Sequence, residues 1–515
     1  MSESASGPDT SGRSLAERLG LFGDGDPQFV RRVVLALLAI YTASFAVFYP
    51  EIATNDDESM YIRQARIAFS GKPTITQIEP LSNQQLEVSP STYAPGTALV
   101  MAPLVEWLGW RAAFVIPWAS LLLAVWLTYL WIRDAGYEPF FALVVLGFPP
   151  ALVMGRVAMS DVPSAAIVAV GFYCFWRGQD AERSHGWWVA SGLVAGASWA
   201  FRATNPILFV PLFAGTVLRR ETRCWALIVG GLLGLGIRFL AMYAYFGSAL
   251  FERSAYHPAL HSIMDRLPLY LIGLLVFVPA GLLFGVLYKG RRRPEIIATI
   301  AMIFLFFLGQ QYSTHGTSFV KRLVLALRYF IPLLPVLAFA MAESVPRTLA
   351  AMRERPGGMR RSAIALGTAG VVWLGGVGVA AAAVHPAFWF WSSTQVQLRD
   401  VIREHLPDDS IFITNWMASR KFVDVFNQKY IRVERDSVTP RIVQQLVARD
   451  GVVYLVLMTR NDSEYWLEDG RRTEQFLASL RDEPELLADV SPGPVDRVRI
   501  WRLDRDSPPR RNMRP

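Results

Sequence analysis

Long apolar runs broken by short arginine-rich stretches dominate this chain as far as residue 392. The runs lie near residues 33–49, 112–132, 140–158, 224–246, 268–288, 296–310, 329–342 and 363–384. Most are long enough to cross a bilayer, which takes about 20 helical residues. After residue 393 the pattern changes. Short β-type runs at 410–414, 451–458 and 497–503 alternate with helix-like stretches at 395–406, 440–449 and 471–482, the pattern of a small α/β domain. Residues 1–30, rich in Gly, Ser and Asp, read as a disordered cytoplasmic tail, and 508–515 as a second disordered tail. No small-residue cleavage site follows the first apolar run, so it reads as a retained helix. The expected fold is a polytopic α-helical membrane protein. It comprises a transmembrane domain over 31–392, with a long outer loop at 51–110, and an extracytoplasmic α/β domain over 393–507.

Composition supports this picture: 52% of the 515 residues are hydrophobic, and the mean hydropathy is +0.29. The net charge of +8 needs no nucleic-acid partner, because the positive-inside rule accounts for it. Arg31 and Arg32 place the N-terminus in the cytoplasm. Short segments at 187–201 and 206–218, read as a hairpin with its tip outside, bring the later arginine-rich loops to the same face. Those loops include Arg177 and Arg183, Arg219 to Arg223, Lys289 to Arg293, and Arg347 to Arg361. That arrangement has about 11 spans and suits a plasma (inner) membrane. The stretch "YAPGTALVMAPLVEWLGW" (93–110) is short and carries Glu106 and two prolines, so it reads as a juxtamembrane helix. Trp389 and Trp391 suit an interfacial belt after the last span. Cys174 and Cys224, in or beside apolar runs, imply neither a disulfide framework nor a zinc site.

The candidate chemistry sits at the expected outer ends of the helices. Asp56, Asp57 and Glu58 stand side by side in "TNDDESMYIRQARIAFSG" (54–71). The bland reading is a helix start, with Asn55 or Asp56 as cap and acids favoured by the helix dipole. Against it, Tyr61 lies one helical turn after Asp57, and adjacent carboxylates repel, which suits one of them to general-base chemistry. Asp161 in "GRVAMSDVPSAA" is either an N-cap or a functional acid near the apolar phase. Arg202 and Arg328, with Lys321 and Arg322 upstream of Arg328, oppose the positive-inside rule. They either snorkel to lipid phosphates or bind a substrate phosphate. His257 and His261 in "YHPALH" are a weak metal pair without a third ligand, and His315 has no assigned role.

In order along the chain, these motifs resemble the GT-C superfamily of polyprenyl-phosphate-sugar glycosyltransferases. That superfamily includes the protein O-mannosyltransferases and the bacterial lipid A aminoarabinose transferases. The resemblance covers about residues 30–345. Asp57-Glu58-x-x-Tyr61-x-x-x-Ala65 with Gly71 resembles the first outer loop, and "YAPG" (93–96) its proline-rich end. "GRVAMSDVPSAA" resembles the second-loop Asp segment, and "RYFIPLLPVLAF" (328–339) the late Arg-Tyr helix. The family often carries Lys-Pro-Pro where this chain has Tyr93-Ala94-Pro95, so a lysine contact is missing here, and the extra Asp56 leaves open which acid is the base.

The resemblance implies inverting transfer of a sugar from a polyprenyl-phosphate carrier to a lipid, glycan or protein acceptor on the outer face. Asp57 would be the base, with Glu58 and Asp161 orienting the acceptor or sugar. Arg202 and Arg328 would hold the phosphate, and Asp56, Tyr61, Tyr93, Lys321 and Tyr329 would contribute to substrate binding. No cofactor is fixed, and a divalent metal is left open. The rival reading is a transporter or flippase of a lipid-linked sugar. It calls for acids near the bilayer midplane and repeat symmetry; neither is visible in the sequence.

Overall fold

A computed structural model of the chain describes residues 14–23, 25–70, 75–78, 84–88, 91, 93–180, 185–248, 263–310, 324–355, 358–408, 410–415, 418–419, 422, 430–432, 439–461 and 464–507. The chain divides into two compact units. The first comprises Met1–Phe48, Val115–Met242 and Glu252–His385; the second comprises Tyr49–Phe114, Tyr243–Phe251 and Pro386–Pro515.

The first unit is helical. Asp26 caps helix α1 (Pro27–Val47), accepting from the Gln28 and Phe29 amides at 3.0 Å, with Pro27 at the first helical position. Ahead of it, Leu15–Arg18 forms a capped turn, and Leu19 and Leu21 are buried. The expected disordered tail to residue 30 is therefore ordered from Ser14 through Gly23, because these leucines have an apolar surface to cover.

In the second unit, the segment expected as the outer loop contains α2 (Asp56–Arg66), an antiparallel pair β1 (Ile75–Ile78) and β2 (Gln85–Val88), and α3 (Gly96–Leu108). The chain then returns to the first unit with α4 (Val115–Asp134), α5 (Asp161–Asp180), α6 (His185–Ala197), α7 (Asn205–Leu218) and α8 (Cys224–Phe246). These are followed by α9 (Ile263–Phe277), α10 (Gly281–Leu287), α11 (Arg293–Gly309) and α12 (Leu334–Arg353).

Trp131 of α4 centres the first unit's core. It stacks on Phe339 of α12, with centroids 4.1 Å apart, and meets Phe172 of α5. The most apolar window of the α12 region is 83% buried, against 28% for α8, so α12 is a core helix and α8 leaves most of its surface to a surrounding apolar phase. Helices α6 and α8 pack backbone to backbone. A Cβ on Gly192 or Gly196 would collide with the Leu227 or Gly231 carbonyl oxygen, and one on Gly230 or Gly234 with those of Val189 or Leu193.

Among the described residues five helices are long and apolar enough to cross a membrane, or six if α9 and α10 form one span bent by 84°. Proline chemistry breaks several runs that look continuous in sequence. Expected helix 140–158 is instead Pro139–Ala142, Leu143–Leu146 and Pro149–Met154, interrupted at Gly147-Phe148-Pro149-Pro150. Run 268–288 breaks at Pro279 and the left-handed Ala280. Run 329–342 opens as a 3-10 turn, Arg328–Leu333, before α12.

Helix α13 (Gly358–His405) has 48 residues, about 72 Å at 1.5 Å per residue. It runs through Pro386, merging the separately expected 363–384 and 395–406 helices. Its C-terminal part belongs to the second unit. There a five-stranded mixed sheet has the order β4-β3-β5-β7-β6. The strands are β3 (Phe412–Thr414), β4 (Tyr430–Arg432), β5 (Val452–Arg460), β6 (Glu485–Val490) and β7 (Asp496–Asp504). Strands β4, β3 and β5 are parallel, and β7 is antiparallel to β5 and β6.

Helices α14 (Pro440–Asp450) and α15 (Glu464–Ser479) cover one face of the sheet through Val443, Leu446 and Phe476. Leu398 and Ile402 of α13 cover the other, together with Ile52 from the start of the outer loop. The Glu51 carbonyl accepts from Arg399 Nη1 at 2.8 Å. The loop expected within the transmembrane domain thus packs into the core of the C-terminal α/β fold, because Ile52 finds its apolar neighbours there.

Candidate active site

The candidate residues fall in both units. In the second, α2 opens with a capping box built from Asn55 and Glu58. The Asn55 side chain accepts from the Asp57 amide at 3.1 Å. Glu58 Oε2 accepts from the Thr54 amide at 2.6 Å, the Thr54 hydroxyl at 2.9 Å and the Asn55 amide at 2.8 Å. With 1% of its surface exposed, Glu58 spends its carboxylate on the helix start. Asp57 is different. It is half-buried, and the Tyr93 hydroxyl donates to its Oδ1 at 2.6 Å. The Tyr93 ring stacks on Tyr61, with centroids 5.1 Å apart and planes 13° from parallel. Asp56 is also half-buried at the first position of α2. Arg63, farther along α2, donates to the Ser419 carbonyl beyond β3 at 2.9 Å.

In the first unit, Asp161 begins α5 and is 2% exposed. Arg202 Nη1 donates to its Oδ1 at 2.6 Å. Arg202 follows the turn Ser198–Ala200 that ends α6, and its guanidinium lies 5.2 Å from the Tyr329 ring centroid. Arg328 lies at the same distance from that ring, and its Nη2 is 3.4 Å from the Tyr329 hydroxyl. Two guanidinium groups therefore flank one tyrosine ring, with Asp161 bonded to one of them. Both can form charge-assisted hydrogen bonds to an oxyanion.

Fully buried Asn205 braces this half, donating to Ser164 Oγ and to the Ser198 carbonyl, each at 3.1 Å. The sequence reading missed Asn205. Its signal is the Asn-Pro pair opening α7. Among the described residues no three His, Cys, Asp or Glu side chains cluster to hold a metal ion. Lys321, Arg322, His257, His261 and His315 lie outside the described residues.

No family model and no curated protein matches the sequence. Solved structures do. The chain superposes on the crystal structure of ArnT from Cupriavidus metallidurans bound to undecaprenyl phosphate with a TM-score of 0.60 and 15% identity. The match covers 92% of this chain and 98% of that one. The chain has the GT-C fold.

The apo state of the same ArnT matches over equal shares of both chains, with a TM-score of 0.57 and 14% identity. The Archaeoglobus fulgidus oligosaccharyltransferase tethered to an acceptor peptide with the NVT sequon matches at a TM-score of 0.50 and 12% identity. That match covers 91% of this chain and 73% of that one. The GT-C likeness to ArnT leaves too little of the chain unmatched to omit the C-terminal α/β fold, so it takes in both units.

Proposed function

We propose that the chain is a multi-pass membrane glycosyltransferase that moves a sugar from a polyprenyl-phosphate carrier to an acceptor on the outer face. The observation that carries this reading is the GT-C fold over nearly the whole length of ArnT, a protein seen bound to undecaprenyl phosphate. Two local features support it: an acid that accepts from the Tyr93 hydroxyl beside the capping Glu58, and a pair of arginines about Tyr329 suited to a phosphate.

In the proposed reaction Asp57 takes the proton of the acceptor hydroxyl as its oxygen bonds to the anomeric carbon. The bond from that carbon to the phosphate oxygen breaks. The electron pair leaves with the polyprenyl phosphate, whose charge Arg202 and Arg328 offset. A phosphate leaves readily, so no general acid is required, and direct displacement inverts the anomeric centre. Asp161 holds Arg202 in place for this task. Glu58 holds the helix that carries Asp57. The N-terminus is assigned to the cytoplasm and the C-terminal α/β fold to the outer face of the inner membrane, with about 11 crossings, following the arginine-rich loops.

The test uses membranes holding equal amounts of folded wild type, Asp57→Asn or Asp161→Asn. Each is given radiolabelled undecaprenyl-phosphate sugars with a cell-envelope extract as acceptor. Label should move with wild type and fall about 100-fold or more with Asp57→Asn, the range for loss of a general base. Undiminished transfer by Asp57→Asn would remove Asp57 from the reaction.

A further inference from the structure

We propose that Tyr93 is a positioning residue for Asp57, fixing the carboxylate's orientation; this rests on Asp57 being the base of the proposed transfer. At 2.6 Å, the Tyr93 hydroxyl donates a short hydrogen bond to Asp57 Oδ1.

The phenol is itself held from three sides. Its ring stacks on Tyr61, which is 4% exposed and lies one helical turn from Asp57 on the same face of α2. The Tyr93 amide donates to Ser91 Oγ at 3.0 Å, and Ser91 is 3% exposed. The Tyr93 carbonyl accepts from Nε2 of Gln64, a fully buried residue of α2, at 3.3 Å. The helix that carries the acid thus also anchors the backbone and ring of the group that orients it. Asp57 and Tyr93 are 36 residues apart in the chain, so the stretch after β2 returns to α2 at this contact.

The arrangement divides the labour among the neighbouring acids. Glu58 accepts backbone and hydroxyl donors at the helix start, whereas Asp57 accepts a side-chain donor that can be removed without touching the cap. Tyr93→Phe keeps the ring stack and deletes only the hydroxyl. Without that donor the carboxylate is no longer held in one orientation, so the chemical step slows while the base itself stays intact.

The experiment uses the purified full chain in lipid nanodiscs and has two arms. In the first, 3-fluorotyrosine is placed at position 93 alone, and its fluorine resonance is compared with and without Asp57→Asn. The expected result is a resonance that Asp57→Asn shifts. A resonance indifferent to Asp57→Asn would overturn the proposal.

The second arm measures transfer from radiolabelled undecaprenyl-phosphate sugars. Tyr93→Phe should lower kcat about tenfold with the KM for donor unchanged, and 3-fluorotyrosine, which keeps the donor, should leave kcat near wild type. A raised KM with kcat unchanged would place Tyr93 on the substrate instead and overturn the proposal. If wild type transfers none of these sugars while the resonance still follows Asp57, the pairing stands and the transferase reading falls.

Discussion

Arg202 Nη1 lies 2.6 Å from Asp161 Oδ1 at a place where the acid keeps 2% and the arginine 12% of its side-chain surface. Buried pairs of this kind are asymmetric in their energetics. Removing one partner leaves a charge stranded in a poor solvent and costs about 3–5 kcal/mol, whereas replacing both costs far less. Arg202→Ala should therefore lower the thermal midpoint of the detergent-purified chain more than the double replacement Arg202→Met with Asp161→Asn. In a double-mutant cycle, a double loss equal to the sum of the two single losses would mean that the pair is not coupled.

Glu58 separates capping from catalysis. Its Oε2 accepts three hydrogen bonds at the start of α2. Glu58→Ala should cost about 1–2 kcal/mol, the range for a lost cap, and lower activity only through lost folded protein. Glu58→Gln keeps an acceptor oxygen and should transfer near the wild-type rate per folded molecule. Transfer assays normalised to a monodisperse chromatographic peak distinguish these outcomes. A Glu58→Gln chain that is well folded yet inactive would make Glu58 a catalytic group.

Much of the fold is legible because helix chemistry is local. Asn55, one of the two caps the sequence offers for α2, is the one that forms, and β5 and β7 lie within a residue or two of the expected 451–458 and 497–503 runs. The helices that break share a cause: Pro149, Pro150, Pro279 and Pro332 interrupt runs whose hydropathy is continuous, whereas α13 continues through Pro386. For the candidate site, the sequence offers Asp57, Asp161, Arg202 and Arg328. It did not reveal which of them pair, because the Tyr93 contact to Asp57 and the Arg202 contact to Asp161 join residues 36 and 41 apart. Ile52 gives no local sign that its apolar partners begin at Leu398.

That distant packing has a consequence for the outer loop. Ile52 is 2% exposed and lies in the same core as Leu398, Ile402, Phe412 and Met458. Ile52→Ala should cost about 2–5 kcal/mol, the usual range for truncating a buried aliphatic side chain. The loss should appear first as faster amide exchange in α2 and in β3, measured together by mass spectrometry. Faster exchange in β3 with α2 unchanged would show that the loop does not depend on this core.

The close approach of α6 and α8 is equally exposed to test. Gly196 faces the Gly231 carbonyl with no room for a Cβ. Gly196→Leu forces two backbones apart and should cost about 3 kcal/mol or prevent folding, whereas Gly236→Ala on α8, where a Cβ meets nothing, should be nearly neutral. Thermal midpoints in detergent give the comparison. Equal tolerance of both changes would contradict the packing.

At the edge of the C-terminal sheet, hydrogen bonding to Arg497 holds the Asp489 carboxyl below its ordinary value of 3.8, against a smaller opposing effect of burial. A carboxyl depressed in the folded state contributes stability that is complete above the unfolded value and is lost as pH falls through the folded one. The window therefore lies at and below pH 3.8. Arg497→Gln removes the cause, so the acid-unfolding midpoint of the sheet should rise, though only by a few tenths of a pH unit because the pair is largely solvent-exposed. Tryptophan fluorescence during acid titration reports the midpoint through Trp501, the cross-strand neighbour of Leu486 and Leu455. Salt should shrink the difference between variant and wild type, as screening weakens an exposed pair. A difference that survives high salt would assign the effect to lost packing of the arginine stem.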